Sequence, residues 1–140
     1  MTPHKNAFGE RKMKDVTVIL KNVPGKLADL GEVLGKNGVN MEGIVGIPLK
    51  DEAFMHILVE DETKTRSILE QAGFQVSAVR EVLVVAGQPG TNILGVPGTG
   101  GKIARKIADA GVNIELIYFA SLNRLIIGVD NLEKAKAALK

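Results

Sequence analysis

Two stretches of the chain carry the same pattern, and this duplication decides the fold. Asn22–Ile44 reads NVPGKLADLGEVLGKNGVNMEGI, and Gly95–Ile117 reads GVPGTGGKIARKIADAGVNIELI. Aligned without a gap, they share eight identities: a Val-Pro-Gly turn, a Gly-Val-Asn turn, and a Glu and an Ile near the end. Glycine and proline thus recur where the backbone must turn, and apolar residues recur at matching offsets. We therefore interpret the chain as two copies of one structural unit.

The first copy predicts a complete β-α-β-β-α-β unit over residues 16–86. This order is typical of the ferredoxin-like α+β fold, with helices on one face of an antiparallel sheet. The predicted elements are a buried strand at Val16–Leu20, a helix with Leu27, Leu30 and Leu34 on one face, strands over 41–49 and 53–59, a helix capped by Asp61 and running to Ala72, and a final strand within Ser77–Ala86.

After a Gly87–Gly90 linker, residues 91–140 predict a second unit of the same plan that lacks its own final strand. The unpaired backbone N–H and C=O groups at the edge of its sheet therefore need a partner strand. We expect the apolar strand over residues 82–86 to be shared between the units, or a second subunit to cover the gap. The predicted elements are a strand near Thr91–Gly95, a helix with Ile103, Ile107 and Ala110 inward, a strand from Val112, a turn at Ser121–Asn123, a strand to Val129, and a helix capped by Asn131.

Composition excludes several classes of protein. Of 140 residues, 45% are apolar and 24% are charged, with a net charge of +2, which is too small for a dedicated nucleic-acid surface. Residues 1–15 lack the apolar segment of a signal peptide, and no apolar run is long enough to span a membrane. We expect a cytoplasmic protein that binds neither nucleic acid nor membrane. Residues 1–15 are expected to form a flexible arm, with a phosphate-binding arm as the alternative.

Catalytic, metal and cofactor sites have little support in the sequence. Cysteine is absent, and His4 and His56 are the only histidines; a lone histidine in a strand is typical of a hydrogen-bonded residue. The Gly-rich stretch ending at Lys102 departs twice from the phosphate-loop pattern, because Val96 stands where its first glycine belongs and Ile103 replaces the hydroxyl residue. We expect no enzyme activity, no metal and no cofactor.

The motifs resemble the ACT domain, whose strand is followed by Asn-x-Pro-Gly-x-Leu and, after the helix, by Gly-Val-Asn-Ile or Gly-Val-Asn-Met. The first unit matches at Asn22–Leu27 and at Gly38–Met41; the second keeps Val-Pro-Gly and Gly-Val-Asn-Ile, but Gly95 and Gly100 replace the Asn and the Leu. The resemblance covers residues 16–140. It implies a tandem ACT protein without a catalytic domain, which binds a small ligand, usually an amino acid, between its units and regulates amino-acid metabolism.

The turn before each first helix is the candidate ligand site. Unsatisfied N–H groups and the positive end of the helix dipole suit a carboxylate there, although Pro-Gly can also serve only to form the turn. By resemblance, the strand that begins at Asn40 or Asn113 closes the pocket from the opposite unit; a plain loop is the alternative. The candidate ligand-binding residues are Asn22, Val23, Pro24, Gly25, Lys26, Leu27, Asn40, Met41, Val96, Gly98, Thr99, Gly100, Asn113 and Ile114.

The leading hypothesis is a non-catalytic sensor that binds an amino acid, with one strong site in the first unit because the second unit's motif is degraded. The first alternative is a ligand-free interaction module, acting as the detached regulatory subunit of an amino-acid biosynthetic enzyme. A third is an anion- or nucleotide-binding protein that uses the Gly-rich turn of the second unit. The incomplete second sheet favours a homodimer.

Overall fold

The computed structural model describes residues 12–86 and 95–140, and the chain divides between Arg80 and Glu81 into two units. The first unit forms a four-stranded sheet in the order β4-β1-β3-β2. Strand β3 is antiparallel to both β1 and β2. Its elements are β1 (Lys14–Lys21), α1 (Lys26–Lys36), β2 (Gly43–Leu49), β3 (Glu52–Val59), α2 (Glu62–Gln71) and β4 (Gln75–Glu81).

The core of the first unit lies between one face of this sheet and the two helices. Because successive side chains of a strand point to opposite faces, alternate residues of β1 (Val16, Val18 and Leu20) meet the helices. They pack with Leu30 and Leu34 of α1, both fully buried. The remaining buried members of this cluster come from β3 and α2: Met55, Ile57, Val59 and Leu69.

The predicted helix signals of the first unit are confirmed with one exception. Asp61 caps α2, because its Oδ1 accepts a hydrogen bond from Lys64 N at 3.0 Å. Leu27, predicted on the buried face of α1 with Leu30, is instead 52% exposed. Leu27 lies in the first turn of α1, beside a groove where strand β2 has a glycine, Gly46, in place of a side chain.

The second unit contains a three-stranded sheet within the described residues, in the order β6-β7-β5 with both pairs antiparallel. Ile107 is fully buried, and Ile103 and Ala110 pack against the same cluster, as predicted. Asn131 caps the last helix through a hydrogen bond from Lys134 N, at 3.1 Å. The elements are β5 (Leu83–Val85), α3 (Thr99–Asp109), β6 (Ile114–Ala120), a 3-10 turn (Ser121–Asn123), β7 (Arg124–Val129) and α4 (Leu132–Ala138).

One strand assignment made from the sequence needs correction, and another lies largely outside the described residues. The apolar run after Val82 was predicted to end the first unit and to be shared with the second unit, unless a second subunit covered the gap. Its pairing with the second unit is confirmed, because Leu83–Val85 pairs with β7, but the first unit ends with β4, a separate strand. The run belongs to the second unit because Leu83 and Val85 stand opposite Ile127 and Leu125 and pack in that unit's core. The strand predicted near Thr91–Gly95 lies largely outside the described residues, as does the 87–90 linker, and Gly95 is in a turn.

The predicted arm over residues 1–15 is also too long at its C-terminal end. Residues 1–11 lie outside the described residues, whereas Lys14 and Asp15 already belong to β1. Met13 is 6% exposed and Asp15 is fully buried. The first strand therefore begins before the β-branched run that marks it in the sequence, because a charged residue, Asp15, is accommodated inside the sheet.

Candidate functional site

The turn that leads from β1 into α1 is held in place by hydrogen bonds of Asn22. Its backbone N–H donates to the carbonyl oxygen of Asp51 at 2.8 Å, and its side-chain Nδ2 donates to the carbonyl oxygen of Lys50 at 3.2 Å. Gly25 then adopts a left-handed conformation (φ 93°) at the N-cap of α1, which only glycine adopts readily. The amide oxygen Oδ1 of Asn22 takes no part in these bonds and can accept one from a ligand.

Beside this turn lies an open groove of about 410 Å³, between the first turn of α1 and strands β2 and β3. We call it the α1–β2 groove. It brings together four of the residues predicted from the sequence as ligand contacts: Asn22, Val23, Lys26 and Leu27. It adds residues of the two strands that the sequence did not single out, namely Ile44, Gly46, Ile47, Pro48 and Met55.

Much of the groove wall is apolar and accessible. Val23, Leu27 and Ile44 are between 41% and 52% exposed. Apolar side chains exposed together in a concave surface, with a few polar groups at one end, are typical of a site that binds a ligand or a partner. A sequence signal for the strand residues does exist, since β2 reads GIVGIPL, with apolar residues on both of its faces.

Gly46 and Met55 form part of the groove as a matched pair. They stand opposite each other in β2 and β3, and a Cβ atom added to Gly46 would overlap with the terminal sulfur and methyl group of Met55. A glycine within a strand often marks such a close approach. The absence of a side chain at position 46 therefore makes room for the end of the flexible Met55 side chain.

The polar end of the α1–β2 groove carries two lysines. Lys21 and Lys26 both line it, and no Asp or Glu is among its lining residues in the described part of the chain. Lys26 Nζ lies 3.9 Å from Asp29 Oδ2, in an exposed ion pair one turn along α1, and such a surface pair holds its lysine only weakly. Lys26 can therefore also interact with an anion in the groove.

The other two candidates of the first unit, Asn40 and Met41, do not line this groove. Asn40 Nδ2 donates to Glu42 Oε1 at 2.9 Å, so its side chain is engaged locally. Met41 packs against the hydrophobic core of its own unit. Pro24 and Gly25 form the exposed turn itself.

In the second unit, the corresponding turn has the same backbone form and different side chains. Gly98 is left-handed (φ 88°) at the N-cap of α3, and Thr99 and Gly100 form the first helical turn. Val96 is 54% exposed. At the start of β6, Asn113 N–H donates to Asp130 Oδ1 at 3.0 Å, and Ile114 packs against the core of this unit.

His56 has a carboxylate partner that the sequence did not reveal. Its Nδ1 lies 2.8 Å from Oδ2 of the fully buried Asp15 and 3.3 Å from Thr17 Oγ1. This confirms the interpretation of a lone strand histidine as a hydrogen-bonded residue. Within residues 12–86 and 95–140, no group of three His, Cys, Asp or Glu side chains is arranged to hold a metal ion.

Of the helices in the described segments, none combines the length and the apolar character that crossing a bilayer requires.

Among known proteins, the similarities to this chain were found with solved structures. No family model and no curated protein matches the sequence. The structure of protein BT0572 from Bacteroides thetaiotaomicron is similar with a TM-score of 0.76 at 26% identity, covering 90% of this chain and 85% of that one. The ligand-free regulatory subunit of aspartate kinase from Thermus thermophilus gives 0.70 at 22% identity, covering 91% and 88%.

A whole enzyme also contains the fold. Aspartate kinase from Clostridium acetobutylicum is similar with a TM-score of 0.60 at 20% identity, covering 99% of this chain but 34% of the kinase. These neighbours and the element order of both units confirm the fold predicted from the duplicated motifs. The chain has the tandem ACT-type α+β fold found in aspartate kinase regulatory subunits.

Proposed function

We propose that this protein is a non-catalytic regulatory protein of the cytoplasm that binds an amino acid, or a similar small anion, in the α1–β2 groove. The observation that carries the proposal is the groove itself. A cationic end, formed by Lys21 and Lys26 beside the Asn22 turn, adjoins an accessible apolar wall. An amino acid presents the complementary groups, a carboxylate and a side chain, within one small molecule.

The structural neighbours support a regulatory role and suggest the kind of partner. The Thermus thermophilus protein is described as the regulatory subunit of aspartate kinase. We infer that the present chain likewise acts on an enzyme of amino-acid metabolism, to which it binds as a separate subunit. Ligand binding regulates such a partner when the ligand has different affinities for two conformations and so shifts the population between them.

Calorimetric titration of the full chain with the twenty amino acids tests this function. At least one should bind, and Gly25→Asp should abolish that binding, because it places a carboxylate in the turn beside the site of the ligand's own carboxylate. Gly111→Asp is the control, since Gly111 also has a left-handed conformation (φ 76°) and is not among the candidate ligand-binding residues. It should keep the binding while losing similar stability. Failure of every amino acid to bind would refute the amino-acid sensor, and an equal loss of binding in both variants would refute its placement in the α1–β2 groove.

A ligand-free interaction module is the second candidate, favoured by the exposed apolar residues Val23, Ile47 and Leu49. Such a module, as a homodimer or as an enzyme subunit, would cover these side chains with protein. Affinity purification of a partner enzyme from the native source, with and without amino acids, separates the two functions. Capture that does not depend on any amino acid favours the module, whereas capture that responds to one amino acid favours the sensor.

A further inference from the structure

We propose that the α1–β2 groove selects an aliphatic carboxylate, that is, a ligand with one carboxylate and an apolar chain of three to five carbon atoms. Valine, leucine, isoleucine and methionine have this chemistry, and so do the 2-oxo acids with the same carbon skeletons. The inference rests on the proposed function and narrows it from amino acids in general to one class.

The apolar wall determines the kind of side chain that the ligand carries. Val23 comes from the turn, Leu27 from α1 and Ile44 from β2; all three line the groove, and each is between 41% and 52% exposed. An aliphatic chain between them removes apolar surface of both ligand and protein from water. A hydroxyl group at the same place would lose its hydrogen bonds to water without gaining one from these side chains.

The charges of the groove exclude the other classes of amino acid. Lys21 and Lys26 stand at its polar end, and no carboxylate lines it among the described residues. A lysine or arginine ligand would therefore bring a second positive charge that is repelled by both lysines, while Asp29, the carboxylate one turn along α1, already pairs with Lys26. An aspartate or glutamate ligand has two carboxylates, and when one is held at the polar end the other lies against the apolar wall.

The second unit shows that this groove is not a general consequence of the fold. Continuing the ungapped alignment beyond Ile117 places Phe119 at the position of Gly46 and Gly100 at the position of Leu27. The strand pairing is compatible with this alignment, because Gly46 of β2 pairs with Met55 of β3, and Phe119 of β6 pairs with Leu125 of β7. The small residue of β2 and the large residue of α1 are thus specific to the first unit, where both line the groove.

Calorimetric titrations at fixed pH and ionic strength test the selectivity. The panel contains valine, leucine, isoleucine and methionine, their 2-oxo acids, and threonine, lysine and aspartate. Threonine has nearly the shape of valine, so the pair isolates the effect of one hydroxyl group. An enclosed apolar pocket rejects that group by about 100-fold, and in this open groove, where the hydroxyl keeps part of its hydration, the preference should be about tenfold or less. We expect this preference for valine, and still weaker binding of lysine and aspartate. Comparing each amino acid with its 2-oxo acid shows which source of aliphatic carboxylate the groove prefers.

Variants connect the selectivity to the groove. Gly46→Phe introduces the residue of the second unit and should weaken aliphatic ligands at least tenfold. Gly101→Phe is its control, because a side chain at that exposed position of α3 meets open space, and it should bind normally. Leu27→Asn instead replaces an apolar side chain of the groove by a polar one of similar size. Because Leu27 is at the surface, folding is not at risk, and the variant should reduce the ratio of valine to threonine affinity.

The outcomes distinguish this inference from the function on which it rests. If threonine, lysine or aspartate binds as tightly as valine, the selectivity is wrong and the amino-acid sensor stands. If no member of the panel and no other amino acid binds, the sensor itself is wrong. If valine binds but both Gly46→Phe and Leu27→Asn bind it with unchanged selectivity, the ligand occupies another place and the assignment to this groove is overturned.

Discussion

In the structure, two leucines one turn apart on α1 have different surroundings. Truncating each of them to alanine tests the description of the groove. Leu30 is fully buried in the core of the first unit, whereas Leu27 is 52% exposed and lines the α1–β2 groove. The change to alanine removes the same atoms in both cases and leaves helix propensity nearly equal. Any difference between Leu27→Ala and Leu30→Ala therefore reports burial.

The structure sets the expected magnitudes. Each variant loses three carbon atoms, which when fully buried are worth about 0.8 kcal/mol each. At Leu30 the cavity left behind adds to this loss, so Leu30→Ala should lower the free energy of unfolding by about 3–5 kcal/mol. At Leu27 about half of the side chain is already in water and no enclosed cavity forms, so the loss should be about 1 kcal/mol.

Urea denaturation followed by circular dichroism measures both losses, provided that the dependence on urea concentration, the m-value, is unchanged between variants. Calorimetry with the preferred ligand should show the complementary effect. For a ligand that covers the exposed half of Leu27, the binding free energy should weaken by about 1 kcal/mol in the Leu27→Ala variant. This corresponds to roughly a fivefold rise in Kd. If Leu27→Ala destabilises the protein as much as Leu30→Ala, Leu27 is a core residue and the groove wall is misassigned.

Three further predictions concern local stability and are measured by the same urea method. Asp61→Ala removes the cap of α2 and should lower the free energy of unfolding by about 1 kcal/mol, while Asp61→Ser should restore most of it. Gly98→Ala should lower it by about 1–2 kcal/mol through backbone strain alone, because the added Cβ atom meets nothing within 4 Å; no effect would contradict the left-handed conformation. His56→Ala removes the side chain that lies 2.8 Å from the buried Asp15, and it should lower the free energy of unfolding by about 1–3 kcal/mol. An unchanged free energy of unfolding would show that this pair contributes nothing to stability.

The parts of the fold that follow local rules could be predicted from the sequence. Pro-Gly turns, the side-chain caps at Asp61 and Asn131, and the 3.6-residue spacing of Leu30 and Leu34 are each determined by a few neighbouring residues. The duplication also indicated the arrangement of the whole chain, because two halves with the same motifs are expected to have the same order of strands and helices. These signals were sufficient for the α+β class, the tandem arrangement and most helix and strand positions.

The sequence predicted that the strand at Leu83–Val85 could serve both units, but not that it belongs to the second sheet alone. A short run of apolar residues identifies a buried strand, but it does not say which sheet buries it. That is decided by pairing with β7, more than thirty residues later in the chain. The contact between Asp15 and His56 was hidden for the same reason, because the pair is formed across two strands by residues 41 positions apart.

Comparison of the two units separates the residues that make the fold from those that make the site. The Val-Pro-Gly turn is identical in both, and its glycines share a left-handed conformation, φ 93° at Gly25 and 88° at Gly98. A motif that performs the same backbone task twice does not by itself indicate a ligand. The positions that differ are more informative, and in the first unit Leu27 and Gly46 both lie on one groove. In the proposed site the shared Val-Pro-Gly supplies the turn and one residue of the apolar wall, Val23, whereas the proposed difference between the units lies in Leu27 and Gly46, outside that motif.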